Sequence, residues 1–296
     1  MQLAFIYLGT MIGAGFASGR ELWLFFACYG EKGLLAMAFA GLLFAVLGSG
    51  VVLLARKNRC ADFQELLFLL FPRPLAIWID KICLLFLLLS LSIMFSGFAH
   101  LGQDALQIPL PYGYLCFFLL VYLCLKSKEK GMQMTNTFLV PFMLFLMLFL
   151  AGSVMLSQTS ALSAFPFTTA SFGQAFWQAG LYVGYNFFSC FAILVPLAKQ
   201  SGSSAWWAGL GGLLLGFLGC IFVLALQIMP QASAYQMPFF YLAACISPFF
   251  ACLYTLVLAA AILTTAVANA YALQSRFLPS ANHDYAFLIP ALAFPI

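Results

Sequence analysis

Apolar residues run along this chain in blocks of about twenty, and polar residues fall almost wholly between the blocks. A helix needs roughly 20 mostly apolar residues to cross the hydrocarbon core of a bilayer. The pattern therefore predicts membrane-spanning helices over 3–28, 33–55, 75–103, 111–125, 134–156, 174–197, 205–228 and 239–273. A ninth apolar run begins at Ala286 and is too short to span before the sequence ends at Ile296. The expectation is a truncated or re-entrant last segment. Residues 62–71 read as a short amphipathic helix lying on the inner membrane surface.

Composition agrees with the pattern. Of 296 residues, 65% are hydrophobic and 7% are charged, and the mean hydropathy is +1.06. A soluble domain carries roughly 25% charged residues, so most of this surface must face lipid. The net charge of +4 is not a nucleic-acid signal, because the basic residues sit in loops. Ten of the twelve fall in or beside the even-numbered connections: Arg56, Lys57, Arg59, Arg73 and Lys81; Lys126, Lys128 and Lys130; Lys199; and Arg276. Positive charge stays on the cytoplasmic side, which predicts a multi-pass protein of the cytoplasmic membrane with its N-terminus inside. The nine cysteines form no CxxC pair and no Cys/His cluster, so they read as small buried hydrophobes. No signal peptide is visible at the start.

One stretch breaks the rule for a lipid-spanning helix. "YLGTMIGAGFASGRE", residues 7–21, places glycines, small polar residues and an Arg-Glu pair inside the first apolar run. It has an echo. "AFIYLGTMIGAGFASG" (4–19) and "AFWQAGLYVGYNFFSC" (175–190) align without gaps at six of sixteen positions, including Gly9/Gly180 and Gly13/Gly184. Five crossings separate them, so the repeat would be inverted in the membrane. Two matching glycine-interrupted helices, one in each half of an inverted repeat, are the sequence pointer to a secondary transporter. Glycine lets the backbone leave the helix. Such a break survives at membrane depth only where it lines a cavity or is buried in protein. Glycines at i and i+4, as in Gly9 with Gly13 or Gly15 with Gly19, also build close helix contacts. The echo favours broken, site-forming helices one and six.

"GTMIGAGFASGRE" (9–21) resembles the first helix of the YkvI-type bacterial membrane proteins. These belong to the wider amino acid–polyamine–organocation superfamily with its LeuT-like fold. "LYVGYNFFSCFAILVPL" (181–197) and "ILTTAVANAYAL" (262–273) resemble that group's sixth and eighth helices. The resemblance implies one all-α transmembrane domain of two inverted five-helix halves. Here they would occupy about 3–156 and 174–296, with helices one and six broken and the C-terminal helices incomplete. It also implies a sodium- or proton-coupled symporter of amino acids or related solutes.

Residue roles follow from the same resemblance. Carbonyls of Gly9 and Ile12, the carbonyl of Ala261 and the hydroxyls of Thr264 and Thr265 would hold Na+. Oxygen-only ligands suit a hard cation. The other reading of the threonine pair is hydroxyls bonded to their own helix. Some proton-coupled relatives use a lysine of helix five, and 134–156 contains none. The substrate's charged group would meet the backbone around Gly13, Ala14, Gly15, Phe16 and Ser18. Tyr182, Tyr185, Asn186, Ser189 and Asn269 would surround the rest, with Ser92 and Ser96 as further wall residues. The tyrosines read equally well as packing aromatics.

Ionisable residues at membrane depth are rare and usually functional. Glu21 forms a gate contact or carries a proton, unless it and Arg20 lie in water at the outer mouth. The group is expected to have Gln before this Glu, so Arg20 is a departure. No close acid pair, HExxH or nucleophile with a nearby base is present, so the chain does not read as an enzyme. A receptor subunit with the same fold is the competing class. The loops are short, so no obligate protein partner is expected. The expected partners are a small neutral or zwitterionic solute and the bilayer, with no cofactor beyond the coupling ion.

Overall fold

Residues 2–60, 63–126, 130–157, 170–200 and 205–277 are described by the computed structural model. Among them the chain forms twelve α-helices and no strand. The first apolar run becomes three short helices, α1 (Gln2–Met11), α2 (Ala14–Ser18) and α3 (Arg20–Phe25), followed by a 3-10 turn, Ala27–Tyr29. Then come α4 (Glu31–Lys57), the short α5 (Phe63–Leu70), α6 (Arg73–Leu106), α7 (Leu110–Lys126) and α8 (Lys130–Ser157). The rest are α9 (Phe172–Gln200), α10 (Trp206–Ile228), α11 (Pro238–Ile246) and α12 (Pro248–Phe277), with a 3-10 turn, Pro230–Ala234, before α11. The run from Ala286 lies outside the described residues.

Five helices among the described residues are long and apolar enough to cross a membrane: Glu31–Lys57, Arg73–Leu106, Leu139–Ser157, Trp206–Ile228 and Pro248–Ala270. Their outward faces are apolar too. On α6 alone Leu75, Ile77, Trp78, Ile82, Leu85, Leu89 and Ile93 are exposed. A continuous apolar face of this length is stable only against lipid or another protein. The molecule is a polytopic helical membrane protein.

Two expectations are corrected. Helix six is not broken: α9 runs unbroken from Phe172 to Gln200. Gly13 and Gly184 occupy equivalent places in the echo, but their surroundings differ. Gly13 sits in a run in which every residue of 13–19 but Phe16 is Gly, Ala or Ser. Gly184 lies beside Tyr182, Val183 and Phe187, all buried, and the helix continues through it. A lone glycine costs a helix only about 1 kcal/mol. The start of α9 is also well closed. The Ser171 N–H donates to Gln174 Oε1 at 2.9 Å, and the Gln174 N–H donates to Ser171 Oγ at 3.3 Å, a reciprocal capping box. The second correction concerns the eighth run. It divides at Ser247, and Pro248 opens α12 at the first helical position, where its missing N–H is not needed.

The described chain divides into two units. The first is Met1–Ile77 with Met147–Leu242, and its centre is the contact of α4 with α10. Gly209, Gly212, Gly216 and Gly219 recur along α10 at intervals of three and four. A methyl on Gly216 would stand 2.6 Å from the Gly41 Cα. Small residues thus let the two backbones touch, as in membrane helix pairs generally. Helix α1 is fixed to this pair by Tyr7. Its hydroxyl donates to the Phe44 carbonyl at 2.8 Å, and its ring packs against Gly48 and Gly211.

The second unit is Trp78–Leu146 with Ala243–Ile296. There Phe117 of α7 stacks on Phe98 of α6, ring centroids 4.5 Å apart. A methyl on Gly113 would stand 2.9 Å from the Ala99 Cα, so α6 and α7 also meet closely. Helix α12 is tied to α6 by Asn269 Nδ2, which donates to Ser90 Oγ at 2.9 Å.

Candidate functional site

The first span is interrupted where its glycines predicted. The last α1-type bond is from the Ile12 N–H to the Leu8 carbonyl at 3.0 Å. Gly13 is then extended, φ −90° and ψ −174°, and takes the chain out of the helical ladder. Helix α2 starts afresh with the Ala17 N–H on the Gly13 carbonyl at 3.0 Å. A second interruption follows at once. Gly19 has φ +78°, in the left-handed region that favours glycine, and a Cβ there would collide with the Phe239 ring. The five residues of α2 therefore sit between two glycine joints.

Ser18 stitches this corner together. Its hydroxyl donates to the Gly15 carbonyl at 2.8 Å and accepts the Arg20 N–H at 3.1 Å. Ala14, Phe16 and Ser18 are buried. Phe16 lies edge-on to Phe222, centroids 5.8 Å apart. Of the candidate residues on helix one, Ser18 and Phe16 thus hold the corner itself.

Arg20 and Glu21 diverge, as neighbours on a helix must. Arg20 Nη1 donates to the Ser233 carbonyl at 2.9 Å and anchors the 3-10 turn before α11. Glu21 folds back over α2. Its carboxyl lies directly on the Cα of Gly15, where any side chain would collide with it. The buried Tyr185 hydroxyl of α9 faces that carboxyl.

The α9 candidates gather against α3 rather than α2. Tyr182 is buried among Phe25, Phe26, Phe44 and Tyr185, with centroids 5.0 to 6.0 Å away. Tyr185 also contacts Phe25, at 5.6 Å. Asn186 Nδ2 donates to the Tyr182 carbonyl at 3.1 Å, one turn back on its own helix. Ser189 lies on α9, and its side chain is outside the described residues.

Gly9 and Ile12 belong to the first unit, with Ile12 buried at the end of the α1 ladder. Ala261, Thr264 and Thr265 belong to the second unit. There the Thr264 and Thr265 hydroxyls both donate to the Ala261 carbonyl, at 3.1 and 2.9 Å. Three oxygens gather on one face of α12, a donor set suited to a hard cation. The same bonds are what back-bonding threonines make. Asn269 is one turn further on and is taken up by Ser90. Ser92 donates to the Leu88 carbonyl of its own helix at 3.1 Å.

Two polar residues escaped the sequence reading. Gln227 is buried, and its amide donates to the Gly30 carbonyl at 2.8 Å and the Ala27 carbonyl at 3.4 Å. It closes the turn after α3, and its signal was a lone amide at the end of an apolar run. Lys32 Nζ donates to the Ala170 carbonyl at 2.7 Å and stands over the Phe172 ring at 5.5 Å.

No protein-family model matches the chain. The chain is 28% identical over 285 residues to the uncharacterized membrane protein YkvI of Bacillus subtilis (strain 168), covering 94% of this chain and 82% of that protein. It is 27% identical over 288 residues to the uncharacterized protein YyaD of the same strain, covering 94% of this chain and 81% of that one. The first of these likenesses agrees with the resemblance drawn from residues 9–21, and its printed name carries the same membrane assignment.

Proposed function

We propose that this protein is a secondary active transporter. It carries a small amino-acid-like or organic solute across the cytoplasmic membrane, with its N-terminus inside, and couples that movement to a cation. The observation that carries the reading is the double interruption of the first span at Gly13 and Gly19, with Glu21 folded onto α2 beside it. An apolar chain has no structural need for a charged corner inside a span, and such a corner is ordinarily a substrate or ion site.

A second observation supports it. Numbered by predicted span, helices one, two, six and seven fall in the first unit, and three, four and eight in the second. Helices five apart in the chain share a unit, as two five-helix halves would require. The unbroken α9 leaves the first helix as the one interrupted element of the matched pair, so the LeuT-like reading rests on helix one and on this grouping. For the coupling ion we favour Na+, with the Ala261 carbonyl and the Thr264 and Thr265 hydroxyls of α12 among its ligands.

The test is thermal unfolding of the purified full-length protein against a panel of amino acids and organic solutes, in sodium or choline buffer. A ligand of the folded state raises its stability by mass action. One stabilising solute that also enters proteoliposomes supports transport. Stabilisation without uptake would replace this reading with that of a receptor.

A further inference from the structure

The connection from α4 to α6 joins two kinds of surface. Helix α4 is closed by its own backbone. The Cys60 N–H donates to the Ala55 carbonyl at 3.0 Å and the Arg59 N–H to the Arg56 carbonyl at 3.3 Å, the paired bonds of a Schellman cap. The Asn58 amide adds a bond to the Leu54 carbonyl at 2.9 Å. These bonds serve the carbonyls of residues 54–56 without any basic side chain. Lys57 and Arg59 make no side-chain hydrogen bond or ion pair among the described residues. Arg56, Lys57 and Arg59 are exposed, and so is Arg73 where α6 begins.

Arg59 has φ +54°. This is the left-handed position of the cap, where glycine is usual. The cap itself therefore gives no reason for an arginine there, and the reason lies with what the side chain meets outside.

Helix α5 turns one face to the protein and the other away from it. Leu66 and Leu67 are buried, and α5 packs on α9. Phe68, Leu69 and Leu70 are exposed, and the apolar surface continues through Phe71, Leu75 and Ile77. Residues 56–73 carry four basic side chains against Asp62 and Glu65, a net charge of +2. An exposed apolar face next to unspent cations matches one neighbour in both respects: acyl chains for the face and a phosphate for the charges. A zwitterionic headgroup brings its own ammonium to the site, whereas an anionic one brings the phosphate uncompensated.

We propose that this connection is a binding surface for an anionic phospholipid of the bilayer. Phe68 and Leu69 lie among the acyl chains. Lys57 and Arg59 meet the headgroup phosphate, Arg59 with the planar fork that suits phosphate oxygens. Arg56 and Arg73 add to the positive field that draws such lipids to a juxtamembrane segment. In the orientation that the loop charges predict, the leaflet is the cytoplasmic one. None of this depends on the transporter reading.

The experiment titrates phosphatidylglycerol or phosphatidylcholine into the purified full-length protein in detergent and follows the unfolding midpoint, which a ligand of the folded state raises. Wild type should respond to phosphatidylglycerol at the lower concentration, and added salt should weaken that preference. Arg59→Gly is the sharpest variant. Glycine suits φ +54°, so without lipid this variant should be at least as stable as wild type. It should nevertheless need about fivefold more phosphatidylglycerol, the worth of one basic residue near an anionic surface. An arginine with a merely structural role would move the stability and leave the lipid titration unchanged. Changing Arg56, Lys57 and Arg59 together to Gln should abolish the preference and keep the response to phosphatidylcholine. Glycerol phosphate, a headgroup without chains, should give no response. The proposal is overturned by equal responses of wild type to the two lipids, or by an Arg59→Gly titration that superimposes on wild type. An undiminished preference in the triple variant, or a response to glycerol phosphate as strong as to the lipid, would overturn it equally.

Discussion

Tyr7 donates its hydroxyl hydrogen to the Phe44 carbonyl at 2.8 Å from a slot between two glycines, Gly48 and Gly211. The bond joins the first half of the broken helix to α4. It adds a directed contact to a ten-residue helix that also buries Ala4, Leu8 and Met11.

Tyr7→Phe should therefore lower stability by about 1 kcal/mol, the usual net worth of one hydrogen bond. Gly48→Ala should cost more. The added methyl would stand 2.8 Å from two ring carbons and the hydroxyl oxygen of Tyr7, and an aromatic ring wedged between helices cannot step aside. Thermal unfolding of both variants in one detergent checks the order. Equal stability of Gly48→Ala and wild type would count against the slot.

The glycines of α9 and α10 make opposite predictions. Gly216→Ala drives a methyl into the Gly41 backbone, at 2.6 Å from its Cα. Backbone cannot yield as a flexible side chain does, so the variant should lose about 1–3 kcal/mol or more, the range of an overpacked core, or fail to assemble. Gly184→Ala meets nothing within 4 Å and lies inside an unbroken helix. It should be neutral or more stable by up to about 1 kcal/mol, because alanine is the better helix former. A large loss at Gly184 would show that helix six is interrupted after all.

That contrast also marks what could be read from the chain. Most of the apolar blocks map onto single helices, because a bilayer makes length and hydropathy decisive. The break at Gly13 was legible because small residues crowd 13–19. The same identities misled at Gly184, where bulky buried neighbours, Tyr182, Val183 and Phe187, flank a helix that stays unbroken. Sequence identity at two glycines says nothing about the packing beside them. The spacing of Gly209, Gly212, Gly216 and Gly219 is visible along the chain and points to a helix contact. Its partner, Gly41, could not be found without three dimensions. The path of Glu21 back to Gly15 was likewise invisible, since it depends on the turn at Gly19.

Gln227 gives a third prediction. Its amide is buried and serves two carbonyls of the turn after α3, Gly30 and Ala27. Gln227→Leu keeps the bulk and removes both donors, leaving carbonyls unmet in a water-poor place. The expected loss is about 1–3 kcal/mol. Limited proteolysis near Gly30, together with the unfolding midpoint, reads it. Unchanged values for both would mean that this turn does not need the amide.

The threonine pair of α12 separates a cation site from ordinary helix packing. Thr264 and Thr265 both turn their hydroxyls to the Ala261 carbonyl. If that is all they do, removing them should be harmless, because back-bonding hydroxyls slightly weaken a helix. The double variant Thr264→Ala with Thr265→Ala should therefore unfold at the wild-type temperature in choline buffer. In sodium the outcome should differ. Loss of two oxygen ligands should raise the sodium concentration needed for stabilisation by roughly tenfold or more, taking about 1.4 kcal/mol per tenfold. A sodium titration of the unfolding midpoint, wild type against the double variant, measures it. Identical titrations would assign the pair to packing. No sodium response in wild type would remove Na+ as the coupling ion.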